Sequence, residues 1–170
     1  MRRMLVIWNG QAGGGDADGQ SLVRDRLAEH GIEVEIFEST SEADARDRVR
    51  RALGDGLAAI VAAGGDGTVR PIALELVGGD TPLGILPLGT AMNAARALEL
   101  PLELEPAIDV LATGRPRPID VGVANGTPFL EVASIGLTAD VLAGATAADA
   151  GRWRAGFELV RRAWRQPRTR

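Results

Sequence analysis

The stretch LAAIVAAGGDGTVR (57–70) constrains this chain more than any other. Seven successive apolar residues leave no polar face. A strand built from them must be covered on both sides, which is the environment of a parallel sheet between helical layers. The run then stops on Gly64-Gly65-Asp66-Gly67-Thr68, and helix-forming residues follow. A chain that ends a buried strand on so little side chain is either turning tightly or leaving its backbone open to something large and anionic.

The same alternation recurs along the chain. MLVIW (4–8) reads as a buried strand. DGQSLVRDRLAEHG (18–31) reads as a helix, with Asp18 a possible cap and Gly31 a terminator. IEVEIF (32–37) alternates with the period of a strand. Ser41 followed by Asp44 marks a helix start, and Ala45, Val49, Ala52 and Leu53 form its apolar stripe. A helix is expected over TVRPIALELV (68–77), where Pro71 is tolerated only in the first turn. PLGILPLG (82–89) is another buried strand, and AMNAARAL (91–98) and LEPAIDVLATG (104–114) look helical. The rhythm predicts an α/β fold, a three-layer α/β/α sandwich with a mostly parallel sheet. Ligands bind such folds at the carboxyl ends of the strands, where NGQAGGG, GGDGT and PLGT all fall.

Beyond about residue 117 the pattern changes. PIDVGVANGTPFLEVAS holds two alternating strands around Asn125-Gly126, a strong hairpin signal. RWRAGFELVRRAW places Trp153, Phe157, Val160 and Trp164 on one helical face with arginines around the other. The expected organisation is an α/β domain over 1–116, then over 117–170 the opening antiparallel strands of a β-rich domain and an amphipathic helix.

Composition removes several chemistries. The 170 residues include no cysteine, and all 19 basic residues are arginine. Thiol catalysis, a P-loop lysine, Schiff-base chemistry and a lysine general base are therefore excluded. The single histidine, His30, falls at an expected helix end, so neither a multi-histidine metal site nor a Ser-His-Asp triad is expected. No apolar run approaches the length of a bilayer span. The N-terminal segment lacks a signal-peptide core and cleavage site, so it is read as a strand; the absence of cysteine leaves the compartment unconstrained, and a bacterial cytoplasm is the default expectation. Residues 151–170 carry seven arginines and one glutamate, against a net charge of −4 for the chain. The body is therefore acidic, and no nucleic-acid partner is expected.

A glycine loop between strand and helix suits phosphate for physical reasons. Amides can converge on one point, the missing side chains leave room, and the helix start offers unpaired N–H groups. A carboxylate such as Asp66 would repel a polyphosphate unless a cation lay between them or it accepted from a ribose. It points to magnesium held through water, or to a nucleoside hydroxyl. The alternative is a plain turn in which Asp66 caps the helix. LPLGTAMNAAR (86–96) repeats the device, and there the alternative is a helix with Thr90 at its N-cap. In the first loop, Gly13 and Gly15 would need a third glycine at 18 for a dinucleotide fingerprint, but Asp18 stands there and Gly19 follows; Glu38 does end the second strand where a ribose carboxylate would sit.

GGDGTV joined to ILPLGTAMNAARALELP resembles the nucleotide-binding part of the diacylglycerol kinase catalytic family, which includes bacterial lipid kinases and sphingosine kinases. LVIWNGQAGG, ESTSEADA, RPIDVGVANGTPFLEVASIGLTADV and AGRWRAGFELVRRAW resemble further segments of it, from about residue 4 to 165. The resemblance implies that Asn9, Ser39, Thr40, Gly64, Gly65, Asp66, Gly67, Thr68, Gly89 and Thr90 surround ATP, with Asp66 holding magnesium through water. It implies transfer of the γ-phosphoryl of ATP to a lipid hydroxyl such as that of diacylglycerol. It also implies peripheral attachment to a membrane surface, which an arginine-rich, tryptophan-bearing helix suits.

The departures from the family pattern are specific. Gly10 stands where proline is usual after the asparagine, Arg70-Pro71 replace Asn-Glu, and Met92-Asn93 replace Asn-Asp. The family's general base lies in its β-rich domain, beyond residue 170, so the chain is expected to be a truncated form with little or no turnover. Exposed edges of the unfinished sheet would favour a homodimer or aggregation. Two other readings remain: a non-catalytic ATP- or ADP-binding regulatory module, favoured by the altered Arg70-Pro71 and Met92-Asn93, and an NAD kinase-like enzyme.

Overall fold

The computed structural model describes residues 2–10 and 17–130. Its elements run β1 (Arg2–Trp8), α1 (Ala17–Glu29), β2 (Ile32–Glu38), α2 (Glu42–Ala52), β3 (Ala59–Gly64), α3 (Asp66–Leu76), β4 (Leu83–Pro87), α4 (Asn93–Ala97), α5 (Leu104–Thr113), β5 (Gly122–Ala124) and β6 (Thr127–Phe129). The first four strands form one parallel sheet in the order β2-β1-β3-β4. The most apolar strands, β1 and β3, take its centre, as full burial requires.

Side chains alternate between two helical layers, as the pleat dictates. Leu5, Ile7, Ile60, Ala62 and Ile85 face Val49, Val69, Ile72 and Ala95, residues of α2, α3 and α4. Met4, Val6, Trp8, Val61, Ala63 and Leu86 face Val23, Leu27, Ala107 and Ile108, residues of α1 and α5. Each large aliphatic side chain buried this way contributes about 1.5–3 kcal/mol. Gly84 has a packing reason: a Cβ there would lie 2.5 Å from Leu111 Cδ2.

The helix starts follow the expected chemistry with informative exceptions. At α2, Ser41 accepts from the Asp44 amide at 3.1 Å, and the Asp44 carboxylate accepts from the Thr40 amide at 3.0 Å. The stripe of that helix is Ala45, Val49 and Ala52; Leu53 sits past its end and is exposed, a correction to the four-residue stripe. The helix expected from residue 68 begins at Asp66, so buried Pro71 lies in the second turn rather than the first. The ring removes the N–H that would have bonded the Gly67 carbonyl, close enough to the helix start for the helix to continue. Thr90 is not the cap of α4: the helix begins at Asn93, after Met92.

The hairpin is present, with β5 and β6 antiparallel and Asn125 and Gly126 at φ 50° and 77°. Positive φ at both central residues is the requirement of a type I′ turn. Its strands have three residues each, shorter than the alternation suggested. Val123 is 65% exposed and Ile119 48%. The expected C-terminal amphipathic helix lies outside the described residues. Among the described residues no helix is long and apolar enough to cross a membrane.

Candidate functional site

Four parallel strands bring four loops to one edge of the sheet, and the ladder continues into the loop starts. The Ser39 amide donates to the Trp8 carbonyl at 2.8 Å, Asn9 to Ala63 at 2.9 Å, and Leu88 to Gly64 at 3.2 Å. The first residues after each strand are thus fixed in register. Order β2-β1-β3-β4 puts the topological switch between β1 and β3, where open α/β sheets take their ligands.

The β3 and β4 loops converge. A Cβ on Gly89 would come 2.5 Å from the Gly65 Cα and 3.2 Å from Met92 Sδ. Glycine at 89 is therefore needed for one loop to pass over the other, a requirement internal to the protein. Gly64 is similar: its Cβ would lie 2.4 Å from Thr68 Oγ1. Thr68 is 5% exposed, and its hydroxyl accepts from Asn9 Nδ2 at 3.0 Å, which ties the end of β1 to the start of α3.

Gly67 differs from both. It lies in the first turn of α3, exposed, with nothing within 4 Å of a Cβ placed on it and no positive φ. Neither packing nor conformation requires glycine there, and alanine would favour the helix by up to about 1 kcal/mol. The Thr68 and Val69 amides already donate to the Gly65 carbonyl, at 2.8 and 3.0 Å, so it is the amides of Asp66 and Gly67 at the very head of α3 that have no intrahelical acceptor, and the cap Gly65 offers no side chain to shield them. The surface is bare backbone at the positive end of an eleven-residue helix.

Asp66 is the first residue of α3 and does not cap it. Its carboxylate reaches across to α4, accepting from the Asn93 amide at 3.0 Å and from the Ala94 amide at 3.1 Å. The cap residue of α4, Met92, makes no side-chain cap and is held left-handed at φ 50° with its side chain buried. Sequence pattern offers no way to find this bridge, because it joins positions 27 and 28 residues apart.

The remaining expected residues sit around this pair of loops. Ser39 Oγ donates to the Trp8 carbonyl at 3.3 Å, and Thr40 Oγ1 to Asp44 at 3.3 Å. Both lie at the end of β2, with β1 between them and the β3 loop. Thr90 is exposed. Glu38 accepts from Gln20 Nε2 at 2.5 Å. Among the described residues no three His, Asp or Glu side chains gather as they would around a directly bound metal. His30 is exposed just beyond α1, as expected.

Residues 3–124 match the diacylglycerol kinase catalytic domain. The chain belongs to that family. It is 38% identical over 143 residues to a probable lipid kinase YegS-like of Pseudomonas aeruginosa, covering 83% of this chain and 46% of that protein. A protein of the same name from Pseudomonas syringae is 39% identical over 147 residues, covering 84% and 46%. A crystal structure of a diacylglycerol kinase from Bacillus anthracis superposes with a TM-score of 0.66 at 27% identity, over 76% of this chain and 45% of that one. The chain thus spans about half the length of the relatives it matches. The resemblance read from GGDGT and PLGT is borne out, and so is the parallel α/β architecture of this lipid-kinase family.

Proposed function

We propose that this chain is the nucleotide-binding part of an ATP-dependent lipid kinase. The observation that carries this reading is Gly67: a glycine at an exposed helix start with open space at its Cβ position and no positive φ to explain it. Room kept free beside unpaired amides fits a phosphate lying against the backbone.

In this reading Gly64, Gly65, Gly67 and Thr68 present the α3 amides to the polyphosphate, Gly89 and Thr90 close over it, and Asn9, Ser39 and Thr40 line the side toward β1 and β2. Asn9 and Thr68 act through their mutual hydrogen bond, which fixes the loop. Asp66 keeps lone pairs beyond those used by the two α4 amides, and these would accept from water on magnesium. Bound ATP with magnesium supplies the transferable phosphoryl group and neutralises part of its charge. The chain's own part is to orient that group and hold the anion. The acceptor is a lipid hydroxyl, as in diacylglycerol, met at a cytoplasmic membrane surface that the arginines of 152–170 suit. The proton-accepting group is assigned to the portion of the family that this chain does not span, which makes little turnover the expectation.

Titrating ATP-magnesium by calorimetry into wild type and Gly67→Ala tests the site. The expected result is binding to wild type and a loss of at least about tenfold in the variant with its melting temperature held or raised. Equal affinities would reject the assignment. A radiolabelled-phosphate assay with mixed lipids and NAD then separates the lipid kinase from two alternatives. Transfer to a lipid, however slow, supports the lipid kinase over the regulatory module that Arg70-Pro71 and Met92-Asn93 favour; transfer to NAD supports the NAD kinase-like enzyme.

A further inference from the structure

Helix α4 begins without a cap of its own. Met92 has no side-chain oxygen to offer the first amides, and its left-handed backbone directs the chain abruptly into the helix. The missing acceptor comes from another element: Asp66, at the head of α3, accepts from Asn93 and Ala94 with one carboxylate oxygen each. The same two elements meet a second time where Gly65 and Gly89 nearly touch. The PLGT loop is therefore held at both ends against the GGDGT loop. Glycine contact sets the approach at one end, and a carboxylate spanning two helices sets it at the other.

We infer that Asp66 is a positioning residue, a clip that fixes the spacing of the two glycine loops by capping α4 from α3. This rests on the proposed nucleotide site but is separate from the magnesium role, because it operates without metal. Both oxygens of the carboxylate are needed for the full clip. Asparagine retains one acceptor and is a good cap; alanine retains none.

Two measurements on the full chain test the clip: amide hydrogen exchange at Asn93 and Ala94, and binding of ATP in EDTA, where no metal role can contribute. The expected order of protection at the two amides is wild type, then Asp66→Asn, then Asp66→Ala. Exchange at the two amides rises about tenfold in the alanine variant and by less in the asparagine variant, in line with loss of one cap. Without metal the Asp66 carboxylate also repels the polyphosphate, so metal-free affinity is compared between the two neutral variants, and Asp66→Ala is expected to bind ATP more weakly than Asp66→Asn. Unchanged exchange at both amides in Asp66→Ala would overturn the clip. Faster exchange in Asp66→Ala with a metal-free affinity equal to that of Asp66→Asn would overturn its control of loop spacing. A loss of affinity appearing only with magnesium, equal in both variants, would assign Asp66 to metal alone. Should Asp66→Ala not fold, Asp66→Ser, neutral and shorter, takes its place beside Asp66→Asn. Failure of the nucleotide reading itself shows separately, as no ATP binding by wild type; the exchange data then still decide the clip.

Discussion

Gly65 and Gly89, on the loops after β3 and β4, approach so closely that the two directions of contact are unequal. A Cβ on Gly89 would lie 2.5 Å from the Gly65 Cα, whereas a Cβ on Gly65 would lie 3.5 Å from the Gly89 Cα. The second distance is ordinary contact; the first requires backbone to move. Gly89→Ala is therefore expected to destabilise the protein by about 1–3 kcal/mol and to weaken nucleotide binding as the loops part. Gly65→Ala is expected to leave the melting temperature nearly unchanged. Thermal unfolding of the two variants checks the asymmetry, and equal midpoints would show that the loop after β4 yields freely.

The pair Asn9 and Thr68 makes a second prediction. The Thr68 hydroxyl is almost fully buried and accepts from Asn9 Nδ2 at 3.0 Å. Thr68→Val removes the acceptor and leaves a polar donor beside a methyl group, with an expected cost of about 1–2 kcal/mol. A double-mutant cycle with Asn9→Ala is expected to return a coupling of about 0.5–1.5 kcal/mol. Additive losses would mean that the bond contributes nothing to joining β1 to α3.

Much of this was legible in the sequence because it depends on local pattern. Apolar runs without a polar face announced β1, β3 and β4; Ser41 with Asp44 announced the start of α2; Asn125-Gly126 announced the turn of β5 and β6. The loops GGDGT and PLGT were recognisable because glycine has few other reasons to cluster between strand and helix. What could not be read was how the glycines divide their duties. Gly64 and Gly89 serve contacts inside the protein, while Gly67, in the same loop pair, keeps space open. Sequence spacing carries no information on which backbone atoms meet across two loops. For the same reason the sequence pointed Asp66 to magnesium or a nucleoside hydroxyl, with a cap on its own helix as the alternative, and gave no sign that the fold sends it to the head of α4. The start of α3 at Asp66 was missed because Pro71 argued for a later one.

Glu75 links α2 to α3 and gives the fold an acid-sensitive joint. Its carboxylate accepts from Arg50 Nε at 2.7 Å and Nη2 at 2.8 Å and from Arg46 Nε at 2.6 Å. The bond from Arg50 is the main cause holding its pKa below the ordinary carboxylate value; burial opposes this, and Arg46 adds to the lowering. A carboxylate lowered on folding contributes its stability above the unfolded pKa and loses it as pH falls through the folded value. Stability is therefore expected to fall on acidification below the ordinary carboxylate range, and Glu75→Gln to flatten that fall while lowering stability at neutral pH. Denaturant midpoints measured from neutral pH to about pH 3 provide the check. Parallel curves for the two proteins would assign the acid sensitivity to other carboxylates.

Trp8 ends β1 fully buried, and among the described residues its indole Nε1 has no hydrogen-bond partner. A buried donor left unmade costs about 1–3 kcal/mol. Replacing tryptophan by phenylalanine removes that donor but also leaves a void in the core cluster that Trp8 shares with Val23, Leu86 and Ile108, whose cost is of the same order. The two terms oppose each other, so Trp8→Phe is expected to change stability by less than about 1 kcal/mol, unusually little for the largest side chain of the core. Trp8→Ala, which gains the same relief but empties the whole ring volume, is expected to cost about 3 kcal/mol or more. Urea unfolding of both variants separates the terms. A large loss in the phenylalanine variant would show that the indole N–H is satisfied in solution, by water or by the loop that follows β1.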